Sequence, residues 1–419
     1  MKVLLISHSD NLGGANKASF RLFRSLYKKI YVEILCRYKT ENSSRINKII
    51  KPNIIISKIR DRIGNLTSKL YLNHEKIKNL PYLSGNWIYS NWSDEINKSN
   101  FDIINTHWIG SETMSVRDLS KIKKPLVLTL HDMWMFCGME HYYNLDQFEM
   151  NFRWMSNNKV KKKYFFDLSK IVFNKKKSIN NIHHIVTPSR WLANYCSKSL
   201  IFKKKKITVI PNPVDTNIFK PQNPIKIKKK LNIKNNEKVI LYGNSSSLDV
   251  AAKGFHKLLK ILTIVNKITK HKIKFIIFGD TKKIDQYLIP LSTINYGFIK
   301  DTKKLIELYS IADILVMPSV LDNLPQIATE GQSCGCPIVA FETGGLPEIV
   351  DHNVNGLLTK KFDTRLFAKN IEKIFDMNET NIKKFRNNAR QKAKKEWDNR
   401  VISEKYIKLY KKILNETNK

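Results

Sequence analysis

The sequence predicts an α/β protein built from two doubly wound, parallel-sheet domains, and three observations carry that expectation. Short apolar, β-branched runs alternate along the chain with amphipathic stretches of helical length, the pattern of a parallel sheet covered by helices on both faces. At 419 residues the chain exceeds what one hydrophobic core usually organises, since domains hold about 100 to 200 residues. Between the halves, segment 211–236 combines four prolines, a lysine run and little periodicity, the composition of a boundary.

The elements follow in order. In the first half, strands are expected at 3–7, 31–36, 101–105, 126–130 and 184–187; in the second, at 239–242, 273–278, 314–317 and 337–340. The opening apolar run ends at Ser7 and no small-residue cleavage site follows, so it reads as a first buried strand and not as a leader. Helical spacing returns after Asp363 and runs almost to the end. There Trp397, Val401, Tyr406, Leu409, Tyr410 and Ile413 form a mostly apolar stripe that must pack on something. The expected organisation is a first domain over 1–210, a second over 211–395 and a closing helix over 396–419.

Composition narrows the function classes. No apolar run reaches the ~18 to 20 residues of a membrane span, and the five cysteines are odd in number and scattered, with no zinc or disulfide pattern, which fits a reducing cytoplasm. The 74 Lys and Arg against 36 Asp and Glu give a charge of +38, which favours polyanions or phosphorylated substrates by long-range attraction. The lysines are spread over the whole length, alongside abundant asparagine and isoleucine, so composition accounts for the charge without a dedicated polyanion site. No zinc-finger, RNA-recognition or helix-turn-helix signature is present, and no nucleic-acid partner is expected. The lysine clusters, including 161–163 and 175–177, read as solvated faces and loops.

In open parallel sheets ligands bind beyond the carboxyl ends of the strands, so the residues following each strand are the candidates. After the first strand, Gly13 and Gly14 allow backbone amides to approach a phosphate at the start of a helix. His131 follows the fourth strand. In the second half Asn244 closes a strand, and Lys253 precedes Gly254 and Phe255 at a helix opening, where an ammonium can meet phosphate as a point charge. Further on stand Asp322, Asn323, Leu324 and, eight residues after the aspartate, Glu330. Asn323 is expected to cap the helix, with Pro325 in its first turn and Glu330 about two turns inside, leaving one acid for a sugar and one for a ribose. Gly344 and Gly345, before Leu346, Pro347 and Glu348, repeat the glycine-loop and helix-start arrangement and are expected to offer free N–H groups to a diphosphate. No Asp-x-Asp motif suggests a metal site.

These motifs resemble those of the retaining glycosyltransferase family 4, which has the two-lobed GT-B fold, and are most similar to members that build exopolysaccharides of the colanic-acid type. The resemblance covers nearly the whole chain. It runs through Gly13-Gly14-Ala15, Thr129 to Asp132, Pro188 to Trp191, Ile210 to Asp215 with Phe219, Lys253-Gly254, and most specifically the block from Pro318 to Leu358. It implies two Rossmann-like domains facing a cleft and a final helix crossing back to the first. It also implies a metal-independent hexosyltransferase, with the nucleotide sugar as substrate and no cofactor, and a lipid-linked or oligosaccharide acceptor of surface-polysaccharide synthesis. By resemblance Glu330 holds the ribose hydroxyls, Asp322 touches the transferred sugar, Lys253 neutralises the diphosphate and His131 lies beside the reacting sugar. Two departures stand out: the family's acid pair is usually two glutamates, and an arginine often stands where this chain has Asn244. They keep open a catalytically impaired sugar-nucleotide-binding protein, while a GT-B nucleotide-sugar epimerase is the rival within enzymes. Aromatics from Trp134 to Phe166, interleaved with lysines up to Lys177, suggest docking on an anionic membrane at its inner face, or else a packed core.

Overall fold

A computed structural model of the protein describes residues 1–49, 59, 61–64, 66, 67, 83–141, 168–244, 251–281 and 286–417. The chain divides into two compact units, Met1–Ile210 with Ile402–Lys419, and Pro211–Val401.

The first unit is built on a seven-stranded sheet of β1 (Lys2–Ser9), β2 (Tyr31–Tyr38), β3 (Ile46–Lys48), β4 (Ile103–Thr106), β5 (Leu126–Thr129), β6 (Ile182–Thr187) and β7 (Ile207–Val209). Its order is β3-β2-β1-β4-β5-β6-β7 and every pairing is parallel. Side chains alternate across the pleat. Leu4 and Ile6 accordingly enter one apolar cluster with Leu126 and Leu128, and Val3 and Leu5 enter another on the opposite face with Ile34 and Val127. The C-terminal helix Asn399–Thr417 covers this second face with Ile402, Tyr406, Leu409, Tyr410 and Ile413. Asn105 Nδ2 donates to Tyr410 Oη at 2.7 Å, so the phenol buried on the sheet has a partner. The expected apolar stripe is nevertheless divided: Trp397 closes the preceding helix, Glu379–Glu396, and is buried in the second unit's core.

The second unit carries a six-stranded parallel sheet in the order β10-β9-β8-β11-β12-β13, formed by β8 (Lys238–Asn244), β9 (Ile273–Gly279), β10 (Ser292–Asn295), β11 (Ile314–Met317), β12 (Ile338–Phe341) and β13 (Gly356–Thr359). The same alternation sends Leu315 and Met317 to one face and Ile314 and Val316 to the other. In each sheet the first strand sits in the interior and the order reverses beside it, between β1 and β4 and between β8 and β11. That topology opens a crevice at the carboxyl ends of those strands.

All nine strands expected from the sequence are present, and the four that were not expected, β3, β7, β10 and β13, are the sheet edges. The lysine run 175–177 is not a uniformly solvated face, because Lys176 is fully buried. Its Nζ donates to the carbonyls of Trp134 and Gly138 at 2.5 and 2.6 Å. Trp134 and Phe136 are buried as well, so these two aromatics belong to the core; the other aromatics of the proposed docking segment, from Tyr142 to Phe166, lie outside the described residues. All five cysteines are buried and unbridged. Among the described residues no helix is long and apolar enough to cross a membrane.

Candidate functional site

In the second unit, three neighbouring strand ends bring most of the expected residues together. Asn244 is buried at the end of β8. Lys253 follows on a short turn, Ala251–Lys253, and Gly254 starts the helix Phe255–Ile268. Beyond β11 comes the loop to Asp322, and beyond β12 comes the loop holding Gly344 and Gly345. Lys253 Nζ forms an ion pair with Asp322 Oδ2 at 2.5 Å, with the two side chains 28% and 10% exposed. The surrounding backbone fixes the pair. Ala252 O accepts from the amides of Val320 and Leu321 at 2.8 and 3.2 Å, and Ser319 O accepts from Thr343 Oγ1 at 2.6 Å. Gly344 has a φ of +57°, and a Cβ there would stand 1.9 Å from the Asp322 carbonyl oxygen, so this position requires glycine. The same close approach lets Gly345 N donate to Asp322 O at 3.0 Å.

Three local expectations need correction. The helix after Asp322 is Gln326–Ser333 and its N-cap position is Pro325, in extended conformation, and not Asn323, while Glu330 lies about one turn inside. The Gly345 amide is committed to Asp322, and the following helix Leu346–Ile349 has only four residues, so the second glycine loop serves to seat Asp322 and does not present a free donor at that amide. Leu324 points into the apolar core of the unit.

Glu330 is buried, and Tyr309 Oη on the helix Thr302–Ile311 donates to its Oε2 at 2.9 Å. That partner was missed because helical spacing marks Tyr309 only as a core position.

In the first unit, Gly13 and Gly14 stand after β1 at the start of the helix Gly14–Leu26. His131, after β5, hydrogen-bonds through Nε2 with His107 Nδ1 at 3.0 Å, and the rings stack at 5.3 Å between centroids. His107 follows β4 directly and is buried, so it stood at a strand end where a candidate should be sought. Burial pushes the His131 imidazole down to about 4 against the pull of Asp132, and burial with the neighbouring ring holds His107 well below its ordinary range. Both are neutral near pH 7. Asp132 anchors the segment: it bonds His141 Nδ1 at 2.6 Å and accepts from Trp108 Nε1 at 2.7 Å and from the Trp134 amide at 3.0 Å. Burial works against its ionised form, but these partners outweigh it and leave the carboxyl below its usual value.

Among the described residues, one group has metal-ligand atoms within 4.8 Å of one another: His271, Glu372 and Asp376. His271 precedes β9, at the amino end of the second sheet, away from the strand ends that gather Lys253 and Asp322.

Two switch-point parallel sheets, one with an acid, a lysine and a glycine loop at its strand ends, define a GT-B architecture. Solved structures agree on the fold. The chain superimposes on sucrose-phosphate synthase from Thermosynechococcus elongatus with a TM-score of 0.67 at 16% identity, covering 99% of each chain. For Anabaena HepE, solved in complex with UDP-glucose, the TM-score is 0.63 at 17% identity, covering 98% of this chain and 100% of that one. Residues 12–218 match the model of Glycosyltransferase Family 4, and residues 224–396 match that of Glycosyl transferases group 1. The chain belongs to glycosyltransferase family 4. Its relatives include an uncharacterized glycosyltransferase of Methanocaldococcus jannaschii, 26% identical over 54% of this chain and 59% of that protein. Another is the capsular polysaccharide biosynthesis glycosyltransferase CapM of Staphylococcus aureus, 24% identical over 56% of this chain and 62% of that protein. The match thus spans about three fifths of the length of each of these relatives.

Proposed function

We propose that the protein is a retaining, metal-independent transferase that moves a hexose-type sugar from a nucleotide-sugar donor to a lipid-linked or saccharide acceptor of surface-polysaccharide synthesis. The observation that carries this reading is the gathering of Lys253, Asp322 and the Gly344-Gly345 loop at the ends of β8, β11 and β12, with Glu330 held by Tyr309 one helical turn further on. The capsular-polysaccharide relative and the neighbour solved with UDP-glucose support it.

In this reading Glu330 accepts from the ribose hydroxyls, Lys253 takes the diphosphate charge, Asp322 meets the transferred sugar, and Asn244 with the glycine loops shapes the donor seat. Departure of the diphosphate leaves an oxocarbenium-like centre, and fixed charges aimed at the developing charge lower the barrier. His131, the candidate histidine of the first unit, is neutral because burial pushes its pKa down to about 4, and it brings no positive charge, so the charge of the leaving group falls to Lys253. With no carboxylate assigned as a covalent nucleophile, attack on the same face as the leaving group gives retention. The acceptor is presented at the inner face of the cell membrane.

A second reading, a sugar-nucleotide-binding protein without transfer, draws on Asp322 being one methylene shorter than glutamate and on Asn244 in place of arginine. One experiment separates them: incubation with a panel of nucleotide sugars and membrane lipid extract, with product analysis by mass spectrometry and anomeric configuration by NMR. Transfer with retention, unchanged in EDTA, is expected. Donor binding without any product would favour the second reading, and loss in EDTA restored by Mg²⁺ or Mn²⁺ would overturn metal independence.

A further inference from the structure

The 2.5 Å pair between Lys253 and Asp322 joins the cation assigned to the diphosphate and the acid assigned to the sugar. We infer that Asp322 is a built-in competitor for the donor diphosphate: its carboxylate occupies Lys253 until a diphosphate displaces it, and the displacement releases the carboxylate to the sugar. The inference rests on the donor-site reading above.

Both partners have pinned backbones. Two backbone hydrogen bonds tie the 251–253 turn to the loop after β11 through Ala252 O. Gly254, with φ +70° and its Cβ position 1.9 Å from Pro318 O, locks the end of that turn against the same loop. Asp322 is held from the other side by Gly344 and Gly345. The pair therefore opens by side-chain rotation, not by loop movement. Lys253 has a four-carbon stem with which to follow a phosphate, whereas the single methylene of Asp322 keeps its charge close to where the phosphate must arrive.

The electrostatics follow. An ammonium already paired with a carboxylate presents almost no net charge to an incoming anion, and a diphosphate seated on Lys253 also meets the Asp322 charge at short range, in surroundings where screening by water is reduced. Asn244, at the end of β8, brings no compensating charge. Removing the carboxylate should thus strengthen diphosphate binding even as it weakens sugar transfer, which sets Asp322 apart from a residue that only contacts the donor.

The test is calorimetric titration of UDP, GDP and ADP, with the matching monophosphates as controls, into wild type, Asp322→Asn, Lys253→Gln and the double variant at one fixed ionic strength. For the diphosphate that binds best, Asp322→Asn is expected to tighten binding about tenfold, equivalent to ~1.4 kcal/mol. Lys253→Gln is expected to weaken it, and the gain should vanish in the double variant because the two charges act as a pair. The monophosphates should change by less than about threefold, which removes simple attraction to the basic surface as the cause. Asp322→Ser supplies a second uncharged side chain if the asparagine variant does not fold. Wild-type binding that stays equal or weakens in both uncharged variants overturns the competitor role while leaving the donor site intact. Absence of binding by all three diphosphates to both wild type and variants overturns the donor-site reading, and this inference with it.

Discussion

Tyr309 and His107 each hydrogen-bond with a candidate site residue, Glu330 and His131 respectively. The Tyr309 hydroxyl, fully buried, donates to Glu330 Oε2 at 2.9 Å and fixes the carboxylate that the ribose would meet. A buried hydrogen bond to a charged group contributes on the order of 1.5 to 3 kcal/mol. Tyr309→Phe should therefore raise the donor KM roughly tenfold with little change in kcat, and should reduce discrimination against a 2′-deoxyribose donor. Steady-state kinetics with both donors check this, and an unchanged KM would assign Tyr309 to the core alone. Lys253 and Asp322 were legible in the sequence because each stands in a loop or helix opening beyond a strand, and Glu330 because it follows Asp322 by eight residues in the block that resembles family 4. Their pairings were not, since Tyr309 meets Glu330 across 21 residues and Lys253 meets Asp322 across 69, through contacts that no local periodicity records.

At the level of elements, the interior strands were readable and the edges were not, for a physical reason. A strand flanked on both sides and covered on both faces is mostly apolar, as in β11, Ile-Leu-Val-Met, where every residue is buried. An edge strand has no such requirement: β3 reads Ile-Asn-Lys with two exposed residues, and β10 reads Ser-Thr-Ile-Asn with none buried. The closing helix was predicted from its stripe, but Trp397 was counted into it because it precedes the stripe at helical spacing. The break at Trp397, with Asn399 starting the next helix, sends that indole to the other unit's core. On the sheet face the helix buries five large side chains, each worth about 1.5 to 3 kcal/mol. Tyr410→Phe leaves the Asn105 amide without the partner it has at 2.7 Å and should cost about 1 to 2 kcal/mol. Truncation after Val401 should destabilise the first unit far more. Chemical denaturation of both variants checks this, and wild-type stability in the truncated chain would contradict the packing.

For the whole molecule, the histidines of the first unit couple stability to pH. His8 and His131 are pushed to about 4 from 6.5, and His107 is well below, in each case chiefly by burial. The unfolded chain takes up protons at these sites first, so their contribution is fully present above pH 6.5 and is lost as pH falls through about 4. For one histidine held near 4, the loss is on the order of 3 kcal/mol. The melting temperature should accordingly drop between pH 6.5 and 4, and replacing His131 with Asn should flatten that slope; a flat wild-type profile would contradict the buried neutral pair. In the proposed function the strand ends of the second sheet hold a nucleotide sugar for transfer. Its most direct test is donor turnover by wild type and Glu330→Gln, followed by mass spectrometry of the released nucleotide and the glycosylated lipid. One nucleotide sugar should be consumed with formation of nucleoside diphosphate and a sugar-extended product, and the folded Glu330→Gln protein should lose most of this activity. Wild-type turnover in the folded variant would contradict it.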